Sequence, residues 1–370
     1  MCIFLEFFAF SIAFVGSAWG SDVTFPQDAS LTGLGITSST EVDVACPRFA
    51  YVPIRSREGV GHRLGDYILG IDLANALNAT FVYEGDAAMS RVGRHGSYAG
   101  INEFFRLNLN EWELSEVLNS YPLRRIRARN WKNALTYERS CNVLVSVSDD
   151  SCITSSGRFG SCFRSRKGVY NRLKWNLRYK YLQSLYEPRN TFLDSSQITV
   201  VWHLRVGDIK LHQGDQQYYY NLFNVIQVLL QDTRWHIFFL FESKELRPHP
   251  PRGYEFLNNL DNVTFYPNKD VLFTLFHMIN SDLLITSGSS LASFAALIAM
   301  KPVVLSSCPK EGCRYGVMEV SEHVPVSKKG TIPNLPLVQS IVQLKLRLKQ
   351  QMANRQIQRW ISPVFVFHTL

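Results

Sequence analysis

The stretch "ITVVWHLRVGDIKLHQGD", residues 198–215, decides the fold. Its first five residues are β-branched or apolar on both alternating sides. That pattern reads as a strand buried on two faces, the mark of a parallel sheet between helix layers. The strand then runs straight into His203, Arg205, Asp208 and Asp215. A buried strand that ends on charge breaks local consistency, and such breaks concentrate at functional sites. In extended backbone His203, Arg205 and Gly207 share one side, so together they face a ligand lying over the strand's carboxyl end. Arginine suits a pyrophosphate there, because its planar fork bonds two oxygens and keeps its charge. Asp208 orients that arginine or binds a sugar; a structural ion pair at a domain edge is the other reading.

Outward from this stretch the chain alternates. Helix 218–231, strand 236–242, strand 263–266, helix 270–280, strand 282–286, helix 289–300 and strand 302–306 follow in order. Upstream, "RFAYVPI" (48–54) reads as a strand, "EGVGHRLG" (58–65) as a turn, Leu64–Leu77 as a helix and "TFVYE" (80–84) as a strand. Strands alternating with helices predict an α/β fold of two Rossmann-like, doubly wound parallel sheets. The stretch 86–170 is polar and rich in Gly and Arg, and reads as an irregular insertion with some helix near 111–120. Residues 171–188 read as a helix. The expected division is an N-terminal domain over 46–190, a C-terminal domain over 191–336 and a basic helix and tail over 337–370, which is expected to pack across the first domain.

Composition bounds the classes of function. The chain has 370 residues, 46% hydrophobic and 13% aromatic, enough for two cores. Its net charge of +8 is spread thinly, with no block of five or six basic residues, which argues against a nucleic-acid partner. Residues 1–20, "MCIFLEFFAFSIAFVGSAWG", read as a signal peptide ending near Gly20, with a membrane anchor as the alternative; Glu6 interrupts the apolar run. Residues 21–45 read as a stem. The six remaining cysteines, Cys46, Cys141, Cys152, Cys162, Cys308 and Cys313, are an even set that allows up to three disulfides or free thiols. Asn78 ("NAT") and Asn262 ("NVT") head glycosylation sequons. Together these point to the secretory pathway, in the Golgi or ER lumen, or to secretion.

Two further turns are candidate sites, since α/β sheets bind ligands beyond the carboxyl ends of their strands. In the first, Gly59 and Gly61 allow a tight turn and close backbone approach, with His62 and Arg63 beside them. An anion or sugar contact, a bare strand–helix turn and a dinucleotide site are the readings; Glu84 stands where a ribose acid would be, but the glycine spacing is wrong for the last. The second is "TSGSSLASF", 286–294. It approaches Gly-x-Ser-x-Gly, yet no Asp follows Ser290 to complete a hydrolase triad. Ser289 and Ser290 with backbone N–H groups suit a phosphate; plain helix capping is the alternative.

Taken together the three blocks resemble the GDP-fucose-dependent fucosyltransferase superfamily of α1,2-, α1,6- and protein O-fucosyltransferases. "HLRVGD" matches its His-x-Arg-x-Gly-Asp signature. "GVGHRLGDYILGIDLANALNATFVYE" resembles its first glycine turn and helix, and "DLLITSGSSLASFAALIA" its serine-pair motif, in the family's order. The resemblance implies a GT-B architecture, two domains facing across a cleft, and inverting, metal-independent transfer of fucose from GDP-fucose to a glycan or glycoprotein hydroxyl. It implies that Arg205 stabilises the leaving pyrophosphate. His203, Gly207, Ser289, Ser290 and Asp270 would bind donor, and the turn Gly59, Gly61, His62, Arg63 would meet donor or acceptor. No cofactor and no metal are expected, and no Asp-x-Asp motif occurs in the chain. A carboxylate should take the acceptor's proton. Gln213 stands at about the position of the α1,6 branch's base, so Asp215, then Asp208, is the expected base. A non-catalytic GDP-sugar- or glycan-binding relative is the alternative. His62-Arg63 replaces the Asn-Gln of the α1,2 branch, so the acceptor type does not carry over.

Overall fold

The computed structural model describes residues 45–55, 59–91, 100–147, 176–184, 186, 188, 190–194, 196–204, 216–231, 233–241, 254–258, 260–286, 289–299, 303–306, 323–327, 330–332, 335–336, 338–340 and 342–344. The segment that decides the fold, β6 (Ile198–Leu204), buries all seven of its residues. It lies between β7 (Trp235–Phe241) and β9 (Leu283–Thr286), parallel to both. Full burial of one Val or Leu side chain stabilises by about 1.5–3 kcal/mol, so a two-faced strand of this kind organises everything around it. β8 (Val263–Pro267), β10 (Val303–Ser306) and β11 (His323–Pro325) complete a six-stranded sheet in the order β11-β10-β9-β6-β7-β8.

The first sheet has five strands in the order β3-β2-β1-β5-β4. They are β1 (Arg48–Tyr51), β2 (Thr80–Tyr83), β3 (Trp112–Glu113), β4 (Arg124–Ala128) and β5 (Val143–Val147), all parallel. Three of them, β3, β4 and β5, correct the reading of 86–170 as an irregular insertion. β5 is fully buried and pairs with β1 at the middle of the sheet, and β4 forms its edge. Short helices α2 (Asp86–Ser90), α3 (Ile101–Phe105), α4 (Leu114–Ser120) and α5 (Trp131–Leu135) link the strands. Cys46 and Cys141, just before β1 and β5, form a disulfide. The other four cysteines expected to pair lie outside the described residues, as do residues 1–44.

Helices cover both faces of each sheet, which is the doubly wound α/β arrangement expected. Between the sheets run α1 (Val60–Ala76), α6 (176–182), α8 (Val271–Asn280) and α9 (Ser290–Ile298). Their apolar side chains form one continuous core. Leu64, Ile68 and Val145 of the first half share it with Val201, Leu275 and Leu297 of the second. Phe105 meets Phe294 edge-on across this seam, ring centroids 5.3 Å apart. On the far side α7 (Gln216–Leu229) covers β6 and β7 through Leu222 and Ile226. All described residues belong to one compact unit of the chain.

α6 straps the halves together. Arg178 donates from Nε to the Ile298 carbonyl at 3.2 Å and from Nη2 to the Ala299 carbonyl, satisfying the end of α9. Two residues on, Lys180 Nζ lies 2.7 Å from Glu111 Oε1, 3.1 Å from the Tyr67 hydroxyl and 2.9 Å from the Leu107 carbonyl in the first half. Burial raises the Glu111 carboxyl and lowers the Lys180 amine, while their mutual attraction opposes both shifts. The described part of the closing helix departs from expectation. Val338 and Val342 are buried in the second half's own core rather than across the first domain. Among the described residues no helix is long and apolar enough to cross a membrane.

Candidate functional site

Both sheets are ordered around a switch point, where successive connections leave in opposite directions. In the second sheet it falls between β6 and β9. Ligands of open α/β sheets bind beyond the carboxyl ends of the strands at such a point. His203 stands there, one residue past the Trp202–Ile285 register pair, with 9% of its surface exposed. It projects to the same face as Val201, the face that looks toward the first half. Arg205, Gly207, Asp208 and Asp215 follow β6 directly and lie outside the described residues.

β9 ends at Thr286, and α9 begins three residues later behind Ser289. Ser289 is the N-cap in extended backbone (φ −104°, ψ 135°), yet its side chain makes no capping hydrogen bond. The capping alternative for this hydroxyl is therefore not the one the fold adopts. Ser289 is 6% exposed, and its backbone carbonyl accepts from Ser293 N at 2.9 Å. The next N–H groups, of Ser290, Leu291 and Ala292, have no partner within the helix. No acidic residue stands in the first turn.

The glycine segment differs from its reading as a turn. α1 already begins at Val60, so Gly61, His62 and Arg63 lie in its first turn, with Gly59 as N-cap at an ordinary φ of −69°. Gly61 is required by what faces it. A Cβ at this position would lie 2.5 Å from Leu291 N, 2.6 Å from Ser290 Oγ and 2.7 Å from the Ser290 carbonyl carbon. The close approach is made by the first turn of α9. Hence the amino termini of α1 and α9 meet at the carboxyl edges of their two sheets. Ser290 Oγ lies 3.5 Å from His62 Nδ1, so the half-buried imidazole stands at the same junction.

Each helix amino terminus carries about half a positive charge, and two brought together repel. Neither helix supplies an acid in its first turn to neutralise that field. The junction is thus electrostatically matched to an anion, with backbone N–H groups, the Ser289 and Ser290 hydroxyls and His62 around it.

Arg63 corrects an expectation. It is fully buried, and its Nη1 donates to the Met89 carbonyl at 2.8 Å and the Arg91 carbonyl at 2.7 Å. Through Nη1 it therefore closes the end of α2. Asp270, expected to touch donor, is the N-cap of α8; its Oδ1 accepts from Leu272 N and Phe273 N, both at 2.9 Å. Asp282 accepts from Thr199 N at 2.9 Å, at the amino ends of β9 and β6, the wrong edge for a ligand.

Two acids with a role here were not singled out for it. Asp66, four residues after His62 on α1, accepts from Arg55 N at 3.0 Å and pairs with its guanidinium at 2.9 Å. Glu84 accepts from Ile54 N at 2.6 Å. Together they hold the loop leaving β1 over the carboxyl edge. Among the described residues no group of three His, Cys, Asp or Glu side chains is placed to hold a metal ion.

No family model matches the chain, and no curated protein matches it. Solved structures do. One is a mutant of Arabidopsis thaliana FUT1 in complex with GDP, 13% identical, matched over 72% of this chain and 72% of that one with a TM-score of 0.37. POFUT1 in complex with GDP is 11% identical over 71% of this chain and 98% of that chain, with a TM-score of 0.33. S. aureus MnaA with UDP is 11% identical over 77% and 86%, with a TM-score of 0.31. At such identities and TM-scores none of them assigns this chain a family or an activity.

Proposed function

We propose that the protein is a glycosyltransferase that moves a sugar from a GDP-linked donor to a hydroxyl of a glycan or secreted glycoprotein. The observation that carries this reading is the meeting of α1 and α9. Gly61 lies against Ser290 and Leu291 beneath two acid-free helix amino termini, which suits a pyrophosphate. The three ordered motifs support GDP-fucose as the donor, inversion at the sugar carbon and lumenal action in the Golgi or ER, with no nucleic-acid partner.

The chemistry follows from the parts. The acceptor oxygen attacks the anomeric carbon as the bond to the β-phosphate oxygen breaks, and the electron pair leaves with GDP. Fixed donors aimed at the departing pyrophosphate lower the barrier: the helix termini, Ser289, Ser290 and Arg205. His203 lies beside the nucleotide at the switch point. Asp215, with Asp208 second, takes the acceptor's proton. No metal or cofactor is part of the proposal.

Purified protein incubated with GDP-fucose and a glycan acceptor array tests this. Donor-dependent transfer is expected, and Arg205→Ala should remove most of it, a loss on the order of 3 kcal/mol in transition-state stabilisation. Wild-type turnover by that variant rules out the role given to Arg205. Gln213 at the α1,6 branch's base position favours a second reading, a GDP-sugar-binding relative without turnover; GDP binding with no transfer on the array selects it.

A further inference from the structure

The chain's net charge of +8 looks thinly spread in sequence, but one short segment of the first half concentrates exposed basic residues. Between Arg124 and Arg139 stand six basic residues: Arg124, Arg125, Arg127, Arg129, Lys132 and Arg139. All six are exposed. Glu138 is the one acid in that span. None of the six makes an ion pair with any described residue.

β4 is the outer strand of its sheet, and among the described residues no strand pairs with its other edge. Arg125 pairs in register with Leu144 and Arg127 with Ser146, while Ile126 and Ala128 face the buried core side. Arg125 and Arg127 therefore stand on the face opposite α1, roughly 6.6–6.8 Å apart, and exposed Arg129 follows in the bend just past the strand's end. The small cluster of Val117, Tyr121 and Leu123 that covers Phe49 and Leu144 on this face stops short of these arginines. A run of like charges without counter-charges repels itself. A single edge charge is enough to deter strand pairing, so that need does not explain six.

We infer that this surface, centred on Arg125, Arg127 and Arg129, docks an anionic sulfated or carboxylated polysaccharide. A chain of repeated anionic groups complements a run of exposed guanidinium forks without counter-charges. Three observations select a polysaccharide over other polyanions. The disulfide between Cys46 and Cys141 closes two residues from Arg139 and marks an oxidising compartment, where acidic sugars rather than nucleic acids are the abundant polyanions. The neighbouring rings that a single-stranded nucleic acid would stack on, Trp131 and Tyr137, pack against the core instead. The exposed large apolar side chains among the described residues, Tyr220, Val228 and Leu344, all lie outside this half, so the patch offers nothing to insert into a bilayer.

The test is retention of the full-length protein on immobilised heparin, with sodium chloride titrated. The wild type should bind at physiological ionic strength and weaken steeply with salt, as exposed charge contacts do. Arg125→Ser/Arg127→Ser/Arg129→Ser removes three contacts of about two- to fivefold each, so affinity should fall on the order of tenfold or more. Its melting temperature should stay at the wild-type value, because all three side chains are exposed. Arg234→Ser/Lys269→Ser, two exposed basic positions of the second half, should bind like the wild type. No retention of the wild type, an equal loss in that control, or stronger competition by duplex DNA or anionic vesicles than by free heparin overturns the inference. The outcome is independent of whether the protein binds GDP.

Discussion

Gly61→Ala probes the junction on which the functional reading rests. The added methyl would sit 2.5–2.7 Å from Leu291 N, Ser290 Oγ and the Ser290 carbonyl carbon. Two of those three atoms are backbone, so no rotamer change relieves the clash, and the first turn of α9 has to move. Overpacking of this kind costs about 1–3 kcal/mol. Alanine's better helix propensity returns about 1 kcal/mol, leaving a net loss of up to about 2 kcal/mol. Thermal denaturation should register a drop of a few degrees. The larger effect is on ligand binding, since the turn that moves carries Ser289 and Ser290. Displacement by about 1 Å at a positioning element is worth on the order of a hundredfold.

The assay is the melting-temperature shift produced by GDP, measured in parallel on Gly61→Ala and Gly70→Ala. A Cβ at Gly70 would meet the Phe81 ring at 2.6 Å, a comparable strain that lies wholly within the first half. Both variants should lose stability, but only Gly61→Ala should lose the response to GDP. An undiminished GDP response in Gly61→Ala refutes the argument that the approach of α1 to α9 builds the site.

Arg63→Met strands the Met89 and Arg91 carbonyls and should cost on the order of 3 kcal/mol in chemical denaturation. Full stability combined with lost GDP binding would show instead that Arg63 serves a ligand. His277 sets an acid limit on stability. Desolvation by burial holds its pKa down at about 4, against an unfolded value of 6.5, partly opposed by its bond to the Phe273 carbonyl. The unfolded chain therefore binds the extra proton first, and stability falls as pH drops from 6.5 to about 4. The full span is worth on the order of 3 kcal/mol. His277→Phe, which keeps a ring against Phe192, should flatten that part of the stability–pH curve; an unchanged slope contradicts the assignment.

Much of this architecture was legible because it is local. The two-faced hydrophobic run of β6 announced a parallel sheet, and the helices after β6, β8 and β9 followed from their periodicity. β5 was missed although "VLVSV" (143–147) is a plain buried run, because the Arg-rich context around it suggested an insertion. β4 was illegible for a different reason: an edge strand with three exposed arginines carries no apolar alternation.

The site divides the same way. The serine pair and His203 were found from their place at strand ends, which is a local cue. The reason for Gly61 was not, because the atoms that exclude a side chain there come from residues 290 and 291. Arg63 misled for the same cause; its carbonyl partners lie some 26 residues along the chain, and nothing in its neighbours announces them. The carboxylates expected as base lie outside the described residues.

The central claim is that the joined helix termini hold the pyrophosphate of a guanine nucleotide. Isothermal titration of the wild-type protein with GDP, without added metal, tests it most directly. The account expects one GDP per chain, with guanosine alone binding far more weakly because the phosphates carry the contact. No binding at millimolar GDP, or equal affinity for guanosine, would contradict it.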